Sequence, residues 1–260
     1  MNKPTLGGTI FCYNAIKNDY CLSEAVESLK ALCDNIVILD AGSTDGTKEL
    51  VRSFADEKTL TVLCHNNEWE SNHGREKLAY FTNKAITYLF TDWHINLQAD
   101  EVIHENSFDA IRKAIEKPDA EGYWVSRPNL WGDSQHYLDV PDSRKPVGDV
   151  IIRLCKTKYK SIGDAQSLHC PLADMSFVDD IRLYHMGFVR NKYVHCEKIR
   201  HMLVDVFEMG ENDKRVDDMK GVFDPFVMFS RDDLKPIKES LPVFVQEWAV
   251  ERDKINNFII

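Results

Sequence analysis

Short apolar runs alternate along the first half of the chain with segments whose apolar positions recur every third or fourth residue. Residues 9–13, 35–41, 60–64 and 93–97 have the length and the β-branched or aromatic content of buried strands. Helical patterns lie between them. Residues 23–32 put Ala25, Val26, Leu29 and Leu32 on one face behind a capping Ser23, and residues 45–54 read as a second helix. Residues 65–73 read as a polar loop, and 74–90 carry a stripe of Leu78, Phe81, Ala85, Ile86 and Leu89. A further helix, 107–115, closes near Pro118. Strands return at 122–126 and 150–154, on either side of an irregular stretch, 129–148, that bears Trp131, His136, Tyr137, Pro141 and Pro146. A connection of that length within a compact domain is commonly a lid or substrate loop. The alternation predicts an α/β fold with a mixed, mostly parallel sheet flanked by helices.

Beyond Lys192 the pattern changes. Residues 194–208 and 235–251 have amphipathic spacing, broken at Asp224-Pro225-Phe226 and Leu241-Pro242, and the charged run 208–220 reads as a solvated face or loop. The chain is therefore expected to divide into an α/β domain, 1–192, and a helical C-terminal extension, 193–260, packed on it. That extension would cover a cleft or make an oligomer contact. There is no internal repeat or low-complexity segment.

Composition narrows the class. A net charge of -10 gives no bulk attraction for nucleic acid or an anionic membrane, whose binding rests on Lys and Arg meeting phosphates. The seven cysteines form no CxxC pair and sit largely inside apolar runs, so they read as free thiols and not as a disulfide framework or zinc site. Residues 1–8 contain no apolar signal core, and no run approaches the ~18 residues of a membrane span. A cytoplasmic protein without a membrane span is expected. Neither GxGxxG nor GxxxxGK[ST] follows a strand, so dinucleotide-binding and P-loop chemistry lack their fingerprints.

The candidate chemistry centres on Ile36-Val37-Ile38-Leu39-Asp40-Ala41-Gly42-Ser43-Thr44-Asp45-Gly46-Thr47. Four apolar residues end at an Asp, a small-residue turn follows, and a helix begins near Thr44 or Asp45. A strand running into a turn and helix places its last carboxylate at the carboxyl edge of a sheet, where open α/β sheets bind ligands. Pattern alone leaves an ordinary capped turn equally possible.

The wording of this stretch resembles the second-strand signature of family 2 glycosyltransferases. The lead-in Ile10-Phe11-Cys12-Tyr13-Asn14-Ala15-Ile16-Lys17-Asn18-Asp19 is similar to that family's first strand and following turn, and the resemblance extends to about residue 190. It implies a GT-A fold and a one-step, inverting transfer of a sugar, of hexosyl type, from a nucleotide diphosphate sugar to an acceptor hydroxyl. UDP is the nucleotide implied by family habit, and a divalent metal, Mn or Mg, is the implied cofactor.

Carried over residue by residue, the resemblance puts Asp40 on the nucleobase or ribose, beside Cys12 and Asn14, with Gly42, Ser43 and Asp45 in the same turn. Gln98-Ala99-Asp100-Glu101 stands where the family has its acidic metal motif. Asp100 would bind the metal. Gln98 replaces the first Asp, keeps a carbonyl oxygen for metal or ribose, and removes one charge. Glu101 is either a supporting carboxylate or a turn residue. In Ile181-Arg182-Leu183-Tyr184-His185-Met186-Gly187-Phe188-Val189-Arg190, His185 would complete the metal's ligands and Arg190 would meet a phosphate. Asn72, Arg75 and Lys77 fall in the segment beside the diphosphate. Arg75 is the phosphate candidate, and Lys77 reads as a solvated surface residue. The base is left open between Asp164 and His169, or neither. Two rivals remain. One is a nucleotide-sugar-binding module without turnover, which Gln98 favours. The other is a sugar-nucleotide nucleotidyltransferase, which would want a Gly-rich loop where Tyr13-Asn14-Ala15-Ile16-Lys17 stands. The acceptor (glycan, protein, small metabolite or modified nucleic-acid base) and the oligomeric state are left open.

Overall fold

A computed structural model describes residues 3–117, 119–139, 150–171, 175–227 and 229–258. Strand β1 (Leu6–Cys12) is buried almost throughout and pairs in parallel with β2 (Asn35–Asp40) on one side and β4 (Trp93–Leu97) on the other. Its two glycines let layers pack onto both faces. A Cβ on Gly7 would stand 2.8 Å from Leu89, and one on Gly8 3.0 Å from Leu29. Consecutive strand residues face opposite ways, so α1 (Leu22–Leu32) covers one face of β1, and α4 (Glu76–Ile86) with the Leu89 segment after it covers the other. Strand β2 shows the same division. Ile36 and Ile38 enter the core with α1, whereas Val37 and Leu39 enter the core with α4.

The remaining elements extend this frame. After β2 come α2 (Thr47–Ser53) and β3 (Thr59–Leu63), the edge strand beside β2. Between β3 and α4, a short helical turn α3 (Glu68–Ser71) interrupts the stretch expected to be a polar loop, because Trp69 is buried at 3% exposure. After β4 come β5 (Glu101–Ile103), α5 (Phe108–Ile115), β6 (Gly122–Ser126), β7 (Asn129–Trp131) and β8 (His136–Leu138). The two short strands β7 and β8 replace the first part of the expected irregular stretch. Its remainder, with Pro141 and Pro146, lies outside the described residues, as does Pro118. Strand β9 (Val150–Lys156), the ribbon of β10 (Lys160–Ser161) and β11 (Leu168–His169), and the 14-residue β12 (Met175–Phe188) follow.

With β13 (Leu234–Pro236) at one edge, the sheet order among the described residues is β13-β8-β7-β12-β6-β9-β4-β1-β2-β3, with β5 also paired to β12. Strand β13 falls where a helix was expected to start. The C-terminal helices are α6 (Lys192–His201), continued by a π-helical turn (Met202–Val206), then α7 (Lys214–Asp217) and α8 (Gln246–Asn256). Val245, Trp248 and Ala249 share one core with β1 and α1, so the chain beyond residue 192 is built into the main core and, through β13, into the sheet. No helix among the described residues is long and apolar enough to cross a membrane.

Candidate active site

The turn after β2 is an interlocked knot of backbone and side chains. Asp40 is fully buried and its carboxylate accepts the N–H of Gly42 at 3.0 Å and of Ser43 at 3.1 Å. Ser43 Oγ accepts the Asn14 N–H at 2.8 Å, and Asn14 Oδ1 accepts the Thr44 N–H at 2.9 Å. Asp45 accepts the N–H of Lys17 at 2.7 Å and of Thr47 at 3.1 Å. This last bond, with Gly46 at φ 95°, moves the start of α2 from Asp45 to Thr47. Gly42 serves packing: its φ is 101°, and a Cβ there would stand 2.4 Å from the His65 carbonyl oxygen. Asn14, Asp40, Gly42, Ser43 and Asp45, expected to face the nucleotide, thus brace the β1 loop against the β2 turn. None of these five lines the neighbouring cavity, whereas Cys12, expected beside them, does.

That cavity, of about 420 Å³, opens at the carboxyl ends of β1 and β4. Gln98, Asp100 and His185 line it together. Their convergence has a register-level cause. His185 of β12 lies opposite Glu101 of β5 and opposite Asn129 of β7, and the register shifts beyond it, as strands often do beside active sites. His185 Nε2 is 3.7 Å from Asp100 Oδ1, and Nδ1 is 2.9 Å from Asn129 Oδ1. The ring thus stands between the Asn129 carboxamide on its Nδ1 side and Asp100 on its Nε2 side. Burial pushes the imidazole below its ordinary pKa by more than Asp100 restores.

Burial also works to raise the Asp100 carboxyl, but the imidazole and guanidinium beside it outweigh that and hold it well below the usual carboxylate range. Arg190 Nη2 donates to Asp100 Oδ2 at 2.5 Å, Nη1 to the Asn18 carbonyl at 2.8 Å and Nε to the Gly187 carbonyl at 2.8 Å. The side chain is 1% exposed. Expected on a phosphate, Arg190 instead fastens Asp100 to the β1 loop.

Glu101 resolves as a supporting carboxylate. Fully buried, it accepts from Arg127 and Arg153 at 2.8 Å each and from the Gln98 N–H at 2.9 Å. Burial alone would raise its pKa, yet Arg153 and Arg127 bring it down to about 2. The arrangement holds Arg127 at the cavity wall, 3.4 Å from Gln98 Oε1.

The remaining candidates separate. Asp164 lines the cavity. His169 is exposed on β11, paired across the ribbon with Lys160, and does not line it. Arg75 is exposed at the start of α4, 5.7 Å above the Phe207 ring, and lies outside the lining as well. Asn72 donates to the Glu68 carbonyl at 2.7 Å. Lys77, expected in solvent, is 4% exposed, with its ammonium 4.6 Å over Trp69. Trp69 in turn stacks on Tyr13 at 4.3 Å and 7°.

Sequence reasoning missed Arg127, Asn129, Trp69 and Lys198. The first three carry no motif, and their roles come from burial and strand register. Lys198 had one legible signal. On α6 and its continuation, Lys198, His201 and Met202 stand at i, i+3 and i+4 and so share the face that lines the cavity.

Comparison with known proteins identifies the family. A sequence model of the family described as glycosyl transferase family 2 matches residues 9–170. The lipopolysaccharide core biosynthesis glycosyltransferase LpsC of Rhizobium meliloti (strain 1021) is 25% identical over 236 residues, which span 88% of this chain and 80% of that protein. Among solved structures, S. aureus TarS 1-349 in complex with UDP aligns over 83% of this chain and 70% of its own, at 13% identity and a TM-score of 0.47. Mannosyl-3-phosphoglycerate synthase from Rubrobacter xylanophilus aligns over 48% and 41%, at 18% identity and a TM-score of 0.36. The family match runs from β1 to the end of the β10–β11 ribbon, more than half of the protein, and the chain belongs to glycosyl transferase family 2.

Proposed function

We propose that this glycosyltransferase moves a sugar from a nucleoside diphosphate sugar, with UDP as the nucleotide, to an acceptor hydroxyl, with inversion and with a divalent cation at Asp100 and His185. One observation carries the reading: Asp100 Oδ1 and His185 Nε2 face each other at 3.7 Å on the cavity wall. A carboxylate oxygen and an imidazole nitrogen converging on one cavity wall are the donor types that a divalent cation such as Mn takes. Asn129 orients the imidazole from behind, as supporting hydrogen bonds do for metal-bound histidine.

The residues fit the group. Among the described residues no cluster of three or more His, Cys, Asp or Glu could hold a metal, so the protein offers Asp100 and His185, with the Gln98 carbonyl oxygen nearby. A Mg or Mn ion held by one or two side chains takes its other ligands from water and substrate phosphates, and the imidazole favours Mn. When bound, the cation supplies Lewis-acid stabilisation of the charge that grows on the departing diphosphate. Asp164, in the same cavity, takes the proton from the acceptor hydroxyl. Attack from the side opposite the leaving diphosphate gives inversion. Cys12 and Tyr13 wall the donor side, and the braced turn behind them holds the β1 loop in place.

The test is release of UDP from UDP-glucose and UDP-galactose, with Mn and with chelator. Mn-dependent release is the expected result. A second reading, a binding module without turnover, is favoured by the Arg190–Asp100 pair and by Gln98. Tight donor binding with no release across a broad donor and acceptor panel would establish that module in place of the enzyme.

A further inference from the structure

Neither arginine assigned to the phosphates is available to them. Arg190 has its Nε and both terminal nitrogens engaged by Gly187, Asn18 and Asp100. Arg75 lies outside the cavity lining. Arg127 lines the cavity but is clamped by Glu101. The remaining lysine of this wall is Lys198, on α6, beyond the segment that the family match spans.

We propose that Lys198 is the residue of this chain that holds the donor's diphosphate, by direct hydrogen bonds from its ammonium. The proposal rests on the nucleoside diphosphate donor argued above. Lys198 lines the same cavity as Asp100 and His185. Among the described residues its ammonium gives no hydrogen bond and forms no ion pair, and it lies 5.8 Å from the Tyr20 ring. Arg190 packs over the same ring at 4.5 Å. A half-buried ammonium beside a guanidinium, with no acceptor of its own, sits at a cost that an anion in the cavity relieves. Burial, and Arg190 after it, push the Lys198 pKa down to about 8, opposed by Asp100. The group is still mostly charged at neutral pH. A lysine with three donors on a flexible stem suits a phosphate as a point charge, where the fixed guanidinium of Arg190 is already committed. The other groups on this wall are Ile199, Met202 and Leu203, which bring no charge, and His201.

The experiment titrates wild type, Lys198→Gln, Lys198→Met and Lys198→Arg with UDP and with uridine by calorimetry, without metal and with Mn. The expected result is a loss of about tenfold or more in UDP affinity for the Gln and Met variants, the scale of one charge-assisted hydrogen bond. Uridine affinity should stay within about twofold, and the Arg variant should recover most of the loss. A parallel fall for uridine and UDP, or no change for UDP, overturns the assignment of Lys198 and leaves the donor reading standing. Wild-type protein that binds no UDP, with or without Mn, overturns the donor reading itself, and the assignment with it.

Discussion

At the scale of single residues, Gly187 shows how little room surrounds the His185 imidazole. A Cβ there would stand 2.5 Å from both Cε1 and Nε2 of His185 and 3.3 Å from Asp100 Oδ2. Gly187→Ala must therefore push the ring away from Asp100. Misplacing a catalytic contact by an ångström costs on the order of 100-fold. The expected result is a loss of that order in kcat with an unchanged circular dichroism spectrum; an Ala variant with normal kcat would show that the imidazole position does not matter. Asp100→Asn separates charge from shape, because the amide still fits beside Arg190 but carries no negative charge. Turnover should fall by about 100-fold or more, and Mn affinity, followed by electron paramagnetic resonance, should fall with it. Retained Mn binding would move the cation site elsewhere.

At the scale of elements, the β4–β5 turn is held by charge. Glu101 lies fully buried between Arg127 and Arg153, and its N-terminal neighbours Gln98 and Asp100 project into the cavity from the same turn. Removing one partner from a buried ion cluster leaves an uncompensated charge, at about 3–5 kcal/mol. Glu101→Gln should lower the thermal midpoint by several degrees or more and weaken donor binding as the turn loosens. A variant with wild-type midpoint would show the cluster to be dispensable. The same carboxyl sets an acid limit. Its folded pKa, about 2, lies below the ordinary value of 4.5, so its stabilisation is present above about pH 4.5 and is lost as pH falls toward 2. Denaturant midpoints measured between pH 6 and 2 should fall over that window, and the Glu101→Gln variant should lose less across it.

At the scale of the whole molecule, the segment beyond residue 192 closes the structure as well as the cavity. Trp248 and Val245 complete the core over α1. Arg252 of α8 pairs with Asp19 in the β1 loop, and Asp19 also accepts the Asn191 N–H at 2.7 Å, ahead of α6. The β1 loop beside the cavity is thus tied to α6 and α8. A chain ending at residue 192 should show no cooperative thermal transition and no UDP binding. A truncated protein that melts cooperatively would establish 1–192 as an independent domain.

Strand and helix alternation was legible because it is a local property. The unbroken apolar run Ile36-Val37-Ile38-Leu39 reports a strand buried on both faces, and the 3.6-residue stripe of α4 reports a helix buried on one. Local sequence also placed Asp100 just past the end of β4 and His185 near the end of another strand. It did not resolve β5, β7 or β8, three residues each, since strands so short are stable only through their neighbours. Nor did it separate Arg75 and Arg190, two cations near motif words, from Lys198, which stands in none. That choice depends on whether a side chain's hydrogen bonds are already taken. The family and the α/β alternation were written in the order of residues. Which charges remain free to meet a ligand was decided only when β12 found its register between β5 and β7 and α6 came down on the cavity, because burial and pairing are properties of neighbours distant in sequence.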